Sequence, residues 1–450
     1  MFDNVSTNKE DDNLHTVSHI SKFVDEIEDI VSKYSKIDSS QPNEMNDIHL
    51  LDFSNGETSL ALQRFVPLNT RKKSGIFFTG SVLADKVADT IAPLLKRGAK
   101  VIDPACGAGN LLISCAKHLP VGKSLAETLC NWSNLLYGYD LHYQFVRIAR
   151  IRLLLLAASF HKEIMPAGLS VINSKFQGIK MQDTLSLNRP TAQANCVVVN
   201  PPFGYMTAPG SCQWTTGKVQ IAAIFIEKIL SSAPNGQHIV AILPDVLRSG
   251  TRYKKWRNIV SDLTSYLDIE IIGRFDAKTD VDVFVLHMVV GKSNKKSTEW
   301  YSETSRTSRI KLKISDLFEV SVGPVVPHRC LHKGNWYSYL NTSSAIPWSI
   351  VSKLPKRRFK GTVVKPPFAV VRRTSNPDDK YRAVASIIMG SSPVAVENHL
   401  IVLKPKDGTI MRCKKLIEFL KGASANQWFN KRIRCRHLTV SSVKEMPLKE

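Results

Sequence analysis

Four consecutive residues, Asn200-Pro201-Pro202-Phe203, combine a side-chain amide, a backbone carbonyl and an aromatic ring. They follow the apolar run Cys196-Val197-Val198-Val199, whose composition predicts a buried strand over Cys196–Asn200. A strand that stops there sets all three groups at the carboxyl edge of a sheet. The amide oxygen of Asn200 and the carbonyl of Pro201 can each accept one N–H of an exocyclic amino group, while Phe203 stacks on the heterocycle carrying it. Such an amine is a poor nucleophile, because its lone pair is delocalised into the ring. Holding both hydrogens favours a pyramidal nitrogen with its lone pair aimed at an electrophile, so orientation supplies most of the acceleration. That chemistry requires neither a metal nor a strong base.

Upstream, Asp103-Pro104-Ala105-Cys106-Gly107-Ala108-Gly109-Asn110 closes another strand-like stretch, Lys100–Asp103. Gly107 and Gly109 tolerate positive φ and let the backbone pass close to a ligand. In a doubly wound sheet, the first such turn is where a nucleotide-like ligand lies. The third glycine of a dinucleotide fingerprint and the Lys-Ser/Thr of a phosphate loop are both missing. That points away from NAD and ATP and towards S-adenosylmethionine, although a purely structural tight turn fits the same spacing. Asp140 ends the predicted strand Leu135–Asp140, where it can accept both ribose hydroxyls or cap the helix starting near Tyr143. Asp183 follows the candidate strand Leu169–Ile172 and can accept from the cofactor's adenine amino group, or serve as a turn aspartate.

The elements that must position these residues alternate between short apolar runs and helical patterns over residues 70–292, as βαβ units do. Further strands are expected at His238–Leu243, Asp268–Ile272 and Val281–Gly291, and helices at Ser81–Leu95, Leu111–His118, Gln144–Ala158 and Val219–Ser231. The expected fold is α/β, a mostly parallel sheet with helices on both faces and an antiparallel edge made by the last two strands. Helical spacing over Leu14–Tyr34 predicts one helix in an acidic N-terminal segment, and residues 293–310 read as a Ser/Thr/Lys-rich linker. Beyond it, runs at Thr362–Lys365, Phe368–Arg372 and His399–Leu403 with a helix at Lys414–Lys421 predict an α+β unit. The chain divides into 1–65, 66–295 and 305–450, as expected for 450 residues.

Hydrophobic content of 43% with 22% charged residues is ordinary for a globular protein, but a net charge of +22 is not. Residues 1–60 carry 4 Lys/Arg against 13 Asp/Glu, whereas the last 150 carry 28 against 10. A basic C-terminal third suggests a docked polyanion. Its clusters, Lys356-Arg357-Arg358, Arg372-Arg373 and the Lys431, Arg432, Arg434 and Arg436 group, suit phosphate contacts and guanine reading, with Trp336, Tyr337, Tyr339 and Trp428 among them. Eight cysteines without a Cys-x-x-Cys pair argue against a zinc site or a disulfide scaffold. The run Ile151–Ser159 is too short to span a membrane, and the acidic start is unlike a signal or transit peptide, so a cytoplasmic location is expected.

Taken together, the segments resemble the amino-group class of DNA methyltransferases, specifically the adenine-N6 enzymes of γ arrangement found in restriction–modification systems. The resemblance covers residues 70–292 and rests, in that family's order, on Gly75-Ile76-Phe77-Phe78-Thr79, the glycine turn, Asp140, Asp183 and Asn-Pro-Pro-Phe. It implies a Rossmann-like methyltransferase domain with S-adenosylmethionine as cofactor. Thr79 would contact the cofactor's methionine end, and Asp103, Ala105, Cys106, Gly107 and Gly109 would line the same pocket. Gly80 stands where the family usually has proline, which leaves that loop less rigid. The target base would be flipped out of double-stranded DNA. Phe275, in Gly273-Arg274-Phe275-Asp276-Ala277, resembles the second stacking ring of γ-type enzymes, with a core phenylalanine as the other reading and Phe284 as its competitor. Gln220 and Asp245 fit the pocket wall. The C-terminal third becomes a target-recognition domain, and a cognate restriction endonuclease or specificity subunit becomes an expected partner, in a prokaryotic, nucleoid-associated setting. RNA guanine-N2, protein-glutamine and cytosine-N4 methylation share related tetrapeptides, and a modification subunit dependent on a separate specificity protein also fits.

Overall fold

The computed structural model describes residues 79–161, 174–276, 281–292, 300, 312–330 and 332–448. In chain order, its first body holds α1 (Ser81–Leu95), β1 (Val101–Asp103), α2 (Asn110–Ala116), α3 (Leu125–Leu135), β2 (Leu136–Asp140), α4 (Tyr143–His161), β3 (Ile179–Met181) and β4 (Cys196–Val199). There follow β5 (Tyr205–Thr207), β6 (Lys218–Gln220), α5 (Ile221–Ser232), β7 (His238–Pro244), α6 (Asp245–Ser249), α7 (Lys254–Asp262), β8 (Thr264–Arg274) and β9 (Asp282–Val290). Seven strands form one sheet in the order β3-β2-β1-β4-β7-β9-β8. The first five of these are parallel, and β9 runs antiparallel to both β7 and β8.

Every residue of β1 and β4 is buried, because helices cover both faces of the sheet. Cys196 and Val198 join the core shared with α1, α2 and α4, while Val197 and Val199 join the one under α5 and α7. The buried positions Leu83, Ala84, Val87, Ala88, Ile91 and Leu95 of α1 recur at helical spacing and supply one of those covers. From β1 the chain steps outward to β2 and β3, then returns to place β4 on the other side of β1. The strand order therefore reverses between β1 and β4, and their carboxyl ends open a crevice.

The second body holds α8 (Ile314–Leu317), β10 (Phe318–Val322), β11 (Asn335–Leu340), β12 (Ile350–Val351), β13 (Lys356–Phe359), β14 (Phe368–Arg372), β15 (Ala385–Ile388), β16 (Val394–Val396), β17 (Leu400–Pro405), α9 (Ile410–Lys421), α10 (Ala423–Arg432) and α11 (Val440–Lys444). A five-stranded sheet, β10-β17-β14-β15-β12, packs its inner face on α9 and α10, and β13-β11-β16 forms a second sheet.

Several expectations shift. The helix at Leu14–Tyr34, the strand at Leu169–Ile172 and residues 75–78 lie outside the described residues. A parallel strand, Ile179–Met181, stands beside β2, three residues long with one buried side chain, too short for a periodic signal. The helix expected from Val219 starts at Ile221, because Lys218–Gln220 pairs antiparallel with Tyr205–Thr207. Thr362–Lys365 forms no strand; Val364 alone bridges to Val394, and the two prolines after it bring no N–H to extend a ladder. Helix α3 was not expected, although Ser124 caps it by accepting from the Glu127 N–H, a readable start signal. Among the described residues, no helix is long and apolar enough to cross a membrane.

Candidate active site

The crevice between β1 and β4 holds a cleft lined by Thr79, Asn200 and most of segment 103–111. Its floor is the glycine turn. Gly107 (φ +50°) and Gly109 (φ +86°) adopt the left-handed region, and a Cβ on Gly109 would stand 2.9 Å from the Ala149 Cβ on α4. Loop and helix touch closely enough that only glycine fits there. The Gly107 N–H donates to Asp140 Oδ2 at 3.1 Å, tying the turn to the end of β2.

Behind the turn lies Arg152 of α4, only 1% exposed. Its Nη1 donates to the Ala108 carbonyl (2.7 Å) and to Asn110 Oδ1 (2.5 Å). Asn110 Nδ2 in turn donates to the Thr79 carbonyl, and Asn200 Nδ2 donates to Thr79 Oγ1 at 2.9 Å. One relay thus runs from a buried cation through the loop to Thr79 and on to the amide of Asn200. Burial pulls the Arg152 guanidinium down to about 9, which leaves it charged at neutral pH. Sequence reasoning missed its role; a lone arginine inside the apolar stretch Ile151–Leu156 was the available signal.

The three aspartates fare differently. Asp103 lines the cleft, is buried, and accepts from the Ala105 N–H at 3.0 Å. Burial pushes its carboxyl up to about 8, and Asp140 adds to the rise. Asp140 accepts from the His142 N–H (2.8 Å) as well as from Gly107, so it braces the start of α4 and the turn together. Asp183 is exposed and caps a single 3-10 turn by accepting from the Leu185 N–H at 2.9 Å, as the turn reading expected. Thr184 beside it is buried and donates to the Pro104 carbonyl, which pins that turn against the glycine loop.

Phe203 and Phe275 meet. Phe203 is 8% exposed, and the ring centroids lie 5.4 Å apart at 80°, edge to face. A planar base between two parallel rings needs centroids about 7 Å apart, given optimal carbon separations near 3.5 Å. The slot is closed. Phe284 is fully buried in the core, so it is no competitor for this place. Gln220 is buried beside the Tyr205–Thr207 hairpin; Asp245 faces the second body rather than the cleft.

Residues 60–265 match the family N-6 DNA Methylase. The fold of the type IIL restriction-modification enzyme MmeI in complex with DNA is similar over 85% of this chain and 69% of that one, with a TM-score of 0.54 at 12% identity. The type IIG restriction endonuclease BpuSI aligns over 88% of this chain and 61% of its own (TM-score 0.44, 13% identity). A modification subunit of a putative type I restriction enzyme from Vibrio vulnificus YJ016 aligns over 56% and 52% (TM-score 0.36, 18% identity). No curated protein matches the chain in sequence.

In the second body, the basic clusters separate into inward and outward groups. On β13, Arg357 points inward, 7% exposed, donating to the Cys330 carbonyl (2.8 Å) with its guanidinium 5.1 Å from the Tyr339 ring centre. Lys356 and Arg358 flank it on the exposed face, and Arg358 lies 6.0 Å from the ring of Trp336, which is 64% exposed. Arg372 donates to the carbonyls of Thr342 and Ala345, and Arg373 to that of Asn398. Arg432 pairs with Glu445, and Arg434 with Asp282 of the first body. Lys431 and Arg436 are exposed. Lys356, Arg358, Lys431 and Arg436 thus turn outward, and Arg357 is withdrawn from the solvent-facing set.

Replacing Arg152 with methionine strands two buried acceptors, the Ala108 carbonyl and Asn110 Oδ1. Chemical denaturation should show a loss of about 2 kcal/mol, with faster amide exchange in the glycine loop. The raised Asp103 carboxyl has a signed consequence. Between the ordinary carboxylate range and about 8, the unfolded chain holds fewer protons at this site, so Asp103 costs stability increasingly as pH rises. Asp103→Asn should therefore gain on the native protein in thermal melts as pH climbs across that window, and a gap that shrinks instead would contradict the assignment.

Proposed function

We propose that the chain is a site-specific DNA methyltransferase that transfers a methyl group from S-adenosylmethionine to N6 of an adenine flipped out of double-stranded DNA, as part of a restriction–modification system. The observation that carries this reading is the bond between Asn200 and Thr79 at the edge of the glycine-loop cleft, which sets an amine clamp directly beside that cleft. The match of residues 60–265 to the N-6 DNA Methylase family supports it. The chain spans 69% and 61% of the first two similar structures, one of them bound to DNA.

The cleft suits S-adenosylmethionine. Among the described residues it is lined by small residues, glycine-loop backbone and the acid Asp103, with no lysine or arginine, a set unfavourable to a pyrophosphate and compatible with a cation. Thr79 and Asp103 would hold the methionine end, Ala105, Cys106, Gly107 and Gly109 the body of the cofactor, with Asp140 at the ribose and Asp183 at the adenine. When bound, the cofactor supplies an electrophilic sulfonium methyl. Thr79 fixes the Asn200 amide by accepting from Nδ2, which leaves Oδ1 and the Pro201 carbonyl to accept the two amino hydrogens of the base. Pro202 stiffens the turn, and Phe203 stacks on the extruded ring. Lys356, Arg358, Lys431 and Arg436 of the C-terminal body would meet the phosphates, with Trp336 exposed beside Arg358.

Asn200→Ala should abolish transfer of labelled methyl to plasmid DNA while calorimetry shows cofactor binding largely intact; an equal loss of cofactor binding would sink the clamp role. Replacing Lys356 and Arg358 together with glutamine should flatten the dependence of log Kobs on log salt by nearly two, measured by filter binding to plasmid fragments. An unchanged slope would remove that face from the DNA interface.

A further inference from the structure

The segment 431–435 is where the C-terminal body meets the first body, and its polar contacts converge on the strand ends beside Phe275. Asp245, buried just after β7, accepts from the Arg434 backbone N–H (2.9 Å), from Ser249 Oγ (2.9 Å) and from Arg248 Nε (2.7 Å). Arg248 is itself fully buried and donates through Nη1 to the Lys431 carbonyl at 2.9 Å. The Arg434 side chain crosses to the antiparallel edge. Its Nε donates to Asp282 Oδ1 at 3.2 Å, and its guanidinium covers Gly273, where a Cβ would stand 3.3 Å from Nη2.

Gly273 and Asp282 are the two sides of the turn between β8 and β9, and Phe275 sits on that turn, its N–H donating to the Val281 carbonyl at 2.9 Å. The register shifts between Ile271 and Gly273, a bulge that redirects the chain just before the ring. Phe275 then packs edge to face on Phe203, which closes the slot a base would occupy. Opening the slot requires Phe275 to move, and Arg434 contacts the strand ends on both sides of it, at Gly273 and Asp282. Arg434 thus spends its charge on an acid of the neighbouring domain rather than offering it to a phosphate.

We propose that Arg434 is a positioning residue through which the C-terminal body sets the place of Phe275, and with it the width of the target-base slot. This inference rests on the reading of Phe203 and Phe275 as the two stacking rings. It converts engagement of the C-terminal body into a change at the reacting base without any contact between Arg434 and nucleic acid. Burial raises the Asp282 carboxyl and the Arg434 guanidinium opposes that rise, so losing the cation leaves a half-buried acid that favours displacement of the hairpin.

The test uses the full chain with Arg434→Gln, Arg434→Lys and Asp282→Asn. Amide exchange is followed by mass spectrometry over β8 and β9 in the free protein, with DNA affinity at several salt concentrations and kcat from labelled methyl transfer to plasmid DNA. Arg434→Gln should speed hairpin exchange on the order of tenfold and lower kcat by about ten- to a hundredfold. DNA affinity and its salt slope should stay native. Asp282→Asn, which keeps the arginine and its packing, should reproduce both effects, and Arg434→Lys should recover part of each. A salt slope reduced by about one with native hairpin exchange would make Arg434 a phosphate contact and overturn the proposal; so would native exchange in both Arg434→Gln and Asp282→Asn. If the native chain methylates no DNA, the reading of the function fails, while the exchange data still decide whether Arg434 holds the hairpin.

Discussion

A guanidinium sealed beneath a loop is costly unless its donors are met, and meeting them fixes whatever supplies the acceptors. In this chain the acceptors of Arg152 are a carbonyl of the glycine turn and the amide of Asn110. Once Asn110 is fixed by its oxygen, its nitrogen reaches the backbone of Thr79, and the Thr79 hydroxyl reaches Asn200. The geometry of the candidate clamp is thus dictated from behind, by a residue on α4 that lines no part of the cleft. The loop's glycines serve the same end, since Gly109 allows α4 to come close enough for the arginine to work.

The second constraint is topological. β1 and β4 are far apart in sequence, yet parallel pairing sets their carboxyl ends side by side at the point where strand order reverses. Motifs that end strands are legible for this reason: the glycine turn and Asn-Pro-Pro-Phe had to lie on one edge, and Phe275 followed because the last two strands had no helix between them. The parallel sheet, its antiparallel edge and most helices were readable from apolar periodicity. What escaped were elements too short to show a period, such as Ile179–Met181, and Arg152, whose meaning depends on a partner loop and not on its own neighbours.

Charge was the least legible property. Composition counts every lysine and arginine alike, but a strand sends successive side chains to opposite faces. In Lys356-Arg357-Arg358 that alternation withdraws the middle residue into contact with Tyr339 and a backbone carbonyl. Arg372, Arg373 and Arg434 are likewise engaged in holding loops, carbonyls or the neighbouring domain. The aspartates showed a related ambiguity. Asp140 and Asp183 each carry the local capping bonds that a non-functional reading anticipates, because a carboxylate at the end of a strand finds N–H groups of the next turn whether or not a ligand is near.

The buried pair of Asp245 and Arg248 bears on how such a chain could be reassembled. The last strand of the first body ends at Val290 and the first element of the second begins at Ile314, yet Arg248 completes its bonding on the Lys431 carbonyl and Asp245 on the Arg434 N–H. The first body is therefore finished by a short strip contributed from the far end of the sequence. Recombination that exchanged the second body between Val290 and Ile314 would carry that strip away with it. A new body could graft successfully only if it brought an equivalent seam, so inheritance of the strip at 431–435 sets the limit on exchange.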